Sequence, residues 1–165
     1  MNKANIRLLQ PDDWLAWKSL RLEGLQNAPE AFGSSYEEEV DYSEEYLKSY
    51  LKRSTIFGAF IGSDLIGCVG FFTLEQIKMR HRGVLYSMYV RPEHRGHGIA
   101  NRLVEGVIAH AKSQVIQLHL TCVTSNSKAI RLYEKHGFRI YGTEPRALKV
   151  GDVFYDEHLM VLKFE

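Results

Sequence analysis

The stretch VRPEHRGHGIANRLVEG, Val90 to Gly106, decides the fold. It reads as the end of a strand, a turn in which Gly96 and Gly98 are flanked by Arg95 and His97, and a helix that starts at once. Glycines without a Cβ let the backbone fold closely around a group and point several N–H donors inward. The helix start leaves its own first N–H groups unpaired and adds partial positive charge. Together these features form an anion site, which Arg95 strengthens. A tight turn with no ligand would use the same glycines.

Downstream, Ala100, Leu103, Val104, Val107, Ile108 and Ala111 recur at helical spacing. The segment VIQLHLTCV then alternates, with Ile116, Leu118, Leu120 and Cys122 on one face and Gln117, His119 and Thr121 on the other. With GVLYSMYV before the turn, residues 84–123 form a strand–helix–strand unit, which demands a parallel pair with a right-handed crossover.

The rest of the chain reads as a strand NIRLL, a helix opened by Pro11 with Asp12 and Asp13, a loop NAPEAFGSSYEEEV, and a helix EEYLKSYLKR capped by Ser43. Two strands follow around Gly62-Ser63-Asp64, a hairpin signal. After the central unit come a helix NSKAIRLYEKH stopped by Gly137 and two strands, FRIYGTE and VFYDEHLMVLKF. The order β-α-α-β-β-β-α-β-α-β-β predicts an α/β (α+β) domain with a mixed, mostly antiparallel sheet of about seven strands. One parallel pair interrupts it, and helices cover both faces. No repeat or linker divides residues 1–165, so one domain is expected.

Composition sets limits. Apolar residues make up 45% and charged residues 25%, with a formal net charge of +1, so nothing favours nucleic acid or an anionic membrane. No apolar run is long enough to span a bilayer, and the N-terminus lacks a signal core. Cys68 and Cys122 lie in apolar runs and read as buried free thiols, in keeping with a reducing, cytoplasmic setting. His94 and His97 lack the further ligands a metal site needs, so no metal is expected. The Walker pattern is absent. Asn101 stands where a dinucleotide fingerprint needs its third glycine.

A second signal lies further on. Asn126 and Tyr133 share a helix face two turns apart, with the small Ala129 between them. Their helix follows the strand that pairs with the one before the glycine turn. Asn126 and the turn therefore belong at the same sheet end, where α/β folds bind ligands.

RGHGIA matches the Arg/Gln-x-x-Gly-x-Gly/Ala signature of the GCN5-related N-acetyltransferase (GNAT) superfamily. TSNSKAIRLYEKHGF resembles its second signature, an asparagine before a helix ending in Tyr-x-x-x-Gly-Phe, and the order of elements agrees from Asn5 to Phe164. The resemblance implies the acyl-CoA N-acyltransferase fold. Its parallel strands would splay to admit acetyl-CoA as co-substrate. Backbone groups of Met88 and Val90 would bond the pantetheine, with Tyr89 between them. Arg95, Gly96, His97, Gly98, Ile99 and Ala100 would wrap the pyrophosphate. Asn126 would hold the pantetheine arm beside Ala129, Lys135 would approach the phosphates, and Tyr133 would be the general acid near the sulfur.

The oxyanion donor would be the N–H of Met88 or Tyr89. Glu75 and Tyr86 are candidate bases, and a water chain is a third. The acceptor would lie against residues 28–39 and 146–155, lined by Phe32, Tyr36, Tyr155 and the acids Glu37, Glu38 and Glu39, with Tyr86 nearby. The implied activity is acetyl transfer to a primary amine of a small molecule. A protein N-terminal acetyltransferase and a non-catalytic acyl-CoA-binding module are the alternatives. A homodimer is a further implication of the resemblance.

Overall fold

The computed structural model describes residues 3–164. Its elements are β1 (Asn5–Leu8), α1 (Trp14–Asn27), a single-turn α2 (Tyr36–Glu39), α3 (Glu44–Arg53), β2 (Thr55–Ile61), β3 (Asp64–Thr73) and β4 (Arg82–Val90). They continue with α4 (Ile99–Ala111), β5 (Gln117–Val123), α5 (Ser127–Lys135), β6 (Arg139–Val150) and β7 (Val153–Lys163). The strands form a seven-stranded sheet in the order β1-β2-β3-β4-β5-β7-β6. All neighbours are antiparallel except β4 and β5. No helix among the described residues is long and apolar enough to cross a membrane.

Two cores hold the layers. On one face, Trp17, Leu20 and Leu25 of α1 and Leu47 and Leu51 of α3 pack on Ile56, Phe60, Leu65, Cys68 and Tyr89. On the other, Leu103, Val104 and Val107 of α4 pack with Tyr133 of α5 on Ile66, Val69, Leu85, Leu118, Leu120 and Met160. Both cysteines are free and buried. β3 is buried on both faces, as a central strand between two helical layers must be.

Two features of β4 matter most. Its pairing with β5 covers only Arg82–Val84 against Gln117–His119, and beyond this the strands part. β4 also carries an extra residue. Gly70 of β3 faces Tyr86 and Cys68 faces Tyr89, so β4 advances by three residues while β3 advances by two. This is a β-bulge, which bends its strand and spoils the local ladder. It lies just past the last paired residue, so the bend and the parting coincide.

Three expectations need correction. The loop before Asp41 contains α2, because Ser35 accepts the Glu38 N–H at 3.2 Å while the Glu38 carboxylate takes the Ser35 N–H at 2.8 Å, a reciprocal cap. β6 does not stop at Glu144. It crosses an irregularity between Glu144 and Leu148 and runs on to Val150. Ile116 precedes β5 and is 60% exposed, so it does not join the buried face of Leu118, Leu120 and Cys122.

Gly70 makes room for the Tyr86 ring: a Cβ there would lie 2.5 Å from Cε1 and Cζ of that ring. The ring cannot easily retreat, since its hydroxyl is 3.0 Å from that of Tyr50 and its edge meets Phe72. Gly70→Ala is expected to lower stability by about 1–3 kcal/mol, read from the urea midpoint, as overpacked cores do.

Candidate active site

The parted strands leave one edge of β4 without a partner. The Arg91 N–H donates to Ile66 O of β3 at 2.9 Å, and Tyr89 pairs with Cys68 of the same strand. Alternate residues of a strand point their backbone groups to opposite sides. The N–H and C=O of Met88 and Val90 therefore face the gap toward β5. Of the two oxyanion candidates, Met88 offers its N–H to the gap and Tyr89 does not.

Where β4 ends, the glycine turn begins. Gly96 and Gly98 have φ of 82° and 79°, conformations that L side chains rarely adopt. Apart from their chain neighbours, no atom lies within 4 Å of a Cβ built on either glycine, so both face open space. Gly98 is the N-cap of α4, with no side chain capping the helix. The first N–H groups of α4, at Ile99, Ala100 and Asn101, thus have no intrahelical acceptor. Arg95 spends its Nε on Val90 O at 2.8 Å and lays its guanidinium 5.5 Å over the Tyr89 ring, which leaves its terminal nitrogens free. The turn thus brings together two left-handed glycines, an uncapped helix N-terminus and one cation, a donor set whose chemistry suits a diphosphate.

α5 runs from the end of β5 to the first turn of α4. Asn126 caps it, its Oδ1 accepting the Ala129 N–H at 3.2 Å, and its amide nitrogen has no hydrogen-bond partner among the described residues. At the other end, His136 Nε2 is 3.0 Å from Asn101 Oδ1 in the first turn of α4. Lys135, the residue before His136, ends α5 and is exposed. Tyr133 points inward, 5% exposed, edge-on to Phe138 at 5.8 Å, in the cluster that Met88 and Ala129 also join. Its hydroxyl has no hydrogen-bond partner among the described residues. It is not among the fully buried side-chain atoms that lack a hydrogen bond, so the Tyr133 hydroxyl keeps an open edge. Burial, with the nearby Cys122, raises the Tyr133 pKa above the ordinary tyrosine value.

The opposite face carries a network that sequence reasoning missed. Ser87, within the bulge, has φ of 56°, a left-handed conformation that costs a non-glycine residue about 1 kcal/mol. Its Oγ accepts from Arg21 Nη1 at 2.7 Å, and its carbonyl accepts from the Cys68 thiol at 3.4 Å. Arg21 grips Glu39 with Nε and Nη2 at 3.0 and 2.9 Å, and both side chains are largely buried. Burial opposes the Arg21 charge, but the Glu39 carboxylate outweighs it and the pKa rises. Burial pushes the Cys68 thiol up to about 12, so it stays protonated and able to donate. No local signal ties Arg21 to Ser87, which lies 66 residues away.

A cavity of about 650 Å³ lies where the acceptor was expected, between residues 28–39 and the tip of the β6–β7 hairpin. Phe32, Tyr36 and Glu37 line it, together with Leu148, Lys149 and Gly151. Glu38 and Glu39 are committed elsewhere, to the α2 cap and to Arg21. Tyr155 pairs across the hairpin with the lining residue Leu148. Tyr86 lies beneath α3, where burial raises its pKa. His119 is 2.7 Å from Gln117 Nε2 and 3.3 Å from the Tyr141 hydroxyl, and burial lowers its pKa. Glu75 is not brought to the mouth. It sits exposed just past β3, at the end where Thr73 pairs with Gly83, about 15 Å along the strand from Met88. Among the described residues, no three His, Cys, Asp or Glu side chains gather as metal ligands would.

Comparison with known proteins agrees with this geometry. An acetyltransferase of the GNAT family from Streptococcus pneumoniae superimposes with a TM-score of 0.88, at 23% identity, over 99% of this chain and 100% of that one. The structure of yncA from Salmonella typhimurium, solved with its cofactor acetyl-CoA, superimposes with a TM-score of 0.85 at 16% identity, over 98% and 94% of the two chains. The spermidine N(1)-acetyltransferase of Vibrio cholerae is 32% identical over 73 residues, 42% of either chain. The chain spans 42% of the length of the curated relatives it matches. A model of the Acetyltransferase (GNAT) family matches residues 17–138, most of the chain. With the parted β4 and β5 and the glycine cradle at their mouth, this match establishes that the chain belongs to the GNAT family of acetyltransferases.

Proposed function

We propose that this protein transfers an acetyl group from acetyl-CoA to a primary amine of a small molecule, by direct attack with both substrates bound. The observation that carries this reading is the unpaired edge of β4, which runs from the bulge to the two left-handed glycines. That edge supplies backbone donors and acceptors for an extended amide-bearing arm, and the turn supplies amides for a diphosphate. Bound acetyl-CoA would supply a thioester whose acetyl group passes to the amine nitrogen as the thiolate departs.

The chain's own residues have these parts. The Met88 N–H stabilises negative charge on the acetyl oxygen. The Val90 backbone and the Asn126 amide orient the arm. Arg95, the turn amides and Lys135 hold the phosphates. Tyr133 donates to the departing sulfur. An alkyl ammonium with a pKa near 10 must lose a proton before it attacks. Glu75 is too far from Met88 to take it directly, which leaves water or a group on the acceptor side. The cavity at Phe32, Tyr36 and Glu37 admits a small cation, with Glu37 as the acid not committed to another side chain.

The test is an acetyl-CoA turnover screen by free-thiol release over polyamines, amino acids, aminoglycosides and N-terminal peptides. Turnover with a small amine is expected. Turnover confined to peptides would replace this acceptor class with protein N-termini. Coenzyme A binding without any turnover would leave a binding module.

A further inference from the structure

The geometry points to Arg21 as a positioning residue that holds the bulge of β4 in the shape that aims the Met88 N–H into the gap, acting through Ser87 and anchored by Glu39. Arg21 touches neither substrate in this account. It rests on the acetyl-transfer function proposed above and names the device that builds its oxyanion donor.

A serine with φ of 56° stays left-handed only if its surroundings hold it there. Two side chains do so from two directions. The Arg21 guanidinium donates to Ser87 Oγ, and the Cys68 thiol donates to Ser87 O. The thiol contact comes from the neighbouring strand and reaches only the backbone of Ser87. The guanidinium contact comes from α1, crosses between layers, and fixes the side chain itself.

Arg21 is in turn fixed. Two of its nitrogens form a fork on the Glu39 carboxylate, and its guanidinium carbon lies 4.9 Å over the Phe32 ring. The third nitrogen is left for Ser87, so an arginine fits where a lysine, a single point charge, cannot serve both partners. Glu39 ends α2 and Phe32 lies in the same segment, so the wall of the acceptor cavity and the bulge share one side chain. A residue set on Met88 through Ser87 should affect turnover and spare coenzyme binding, because the cradle at Gly96 and Gly98 is built from other parts of the chain.

The experiment is a cycle of Ser87→Ala, Arg21→Lys and the double variant, with kcat measured on the amine found by the screen. Coenzyme A affinity is measured by calorimetry, and the Met88 amide resonance by nitrogen-15 NMR. Ser87→Ala leaves the Arg21–Glu39 ion pair intact and serves if Arg21→Lys does not fold. Each single variant is expected to lower kcat about tenfold, since a small misplacement of a catalytic group has effects of this order. The double variant should be no slower than the worse single one, and coenzyme A affinity should stay within about twofold. Unchanged kcat in the single variants, or losses that multiply in the double one, would overturn the clamp. If the parent protein turns over no amine, the function proposed above fails on its own account. The NMR arm then decides: a shifted Met88 amide in Arg21→Lys, which leaves both neighbours of Met88 unchanged, supports the clamp and an unmoved one refutes it.

Discussion

Gly98→Val is expected to weaken coenzyme A binding at least a hundredfold while the fold survives. Gly98 has φ of 79° at the start of α4. A β-branched residue is a severe outlier in that region, and even an ordinary L residue loses about 1 kcal/mol there. Nothing within 4 Å opposes an added Cβ, so the difficulty is conformational and not a clash with the core. The turn should therefore move to a new shape, and the amides of the turn and of the first turn of α4 should no longer converge. Losing two charge-assisted bonds at about 1.5 kcal/mol each removes roughly 3 kcal/mol, which is more than a hundredfold in affinity. Calorimetry with coenzyme A measures the loss, and a small change in thermal midpoint checks the fold. Turnover of acetyl-pantetheine, which lacks the diphosphate, separates the causes: it should be nearly unchanged. Equal affinity for coenzyme A in Gly98→Val would place the diphosphate elsewhere.

Much of this site is written in short-range pattern, and the rest is not, for physical reasons. Helical spacing from Ala100 to Ala111 and alternation from Leu118 to Cys122 are local signals, and they imply a parallel β4 and β5 because one helix separates them. Glycines at 96 and 98 announce backbone freedom where a strand meets a helix. By contrast, a serine inside an apolar strand gives no sign that it will be left-handed, so the bulge at Ser87 was not legible. Neither was the fate of the three glutamates, 37 to 39. One caps α2, one pairs with Arg21, one lines the cavity, and adjacent identical residues cannot be told apart by composition. The strand pattern breaks at Glu144, next to Pro145, which cannot donate to a ladder. The strand resumes because Asp156 of β7 accepts the Arg146 N–H at 2.8 Å across the irregular stretch, where Arg146 itself has φ of 49°.

Tyr133→Phe is expected to lower kcat by about ten- to a hundredfold, with coenzyme A affinity within about threefold, because it removes one hydrogen bond to a group that becomes charged. The direction of the pKa shift in this residue decides what kind of donor it is. Burial, with the nearby Cys122, holds the Tyr133 pKa above its ordinary value near 10. A thiol with a pKa of roughly 8.5 is the stronger acid, so complete transfer from the phenol to the thiolate runs uphill by more than 1.5 units, or about 2 kcal/mol. A buried phenolate would add to that cost. In the proposed reaction Tyr133 would therefore hydrogen-bond the departing sulfur and keep its proton, and kcat should show no alkaline limb from this residue below about pH 10. The same shift enters stability. The folded pKa lies above the unfolded one, so the contribution is complete below about pH 10 and is lost as pH rises beyond it, where the unfolded chain releases a proton that the folded protein retains. Burial raises Tyr86 in the same direction. Urea midpoints between about pH 9 and pH 11 should thus fall less steeply in Tyr133→Phe than in the parent. Unchanged kcat in Tyr133→Phe would remove this residue from the reaction, and an unchanged alkaline slope would mean that its hydroxyl is better solvated than its 5% exposure implies.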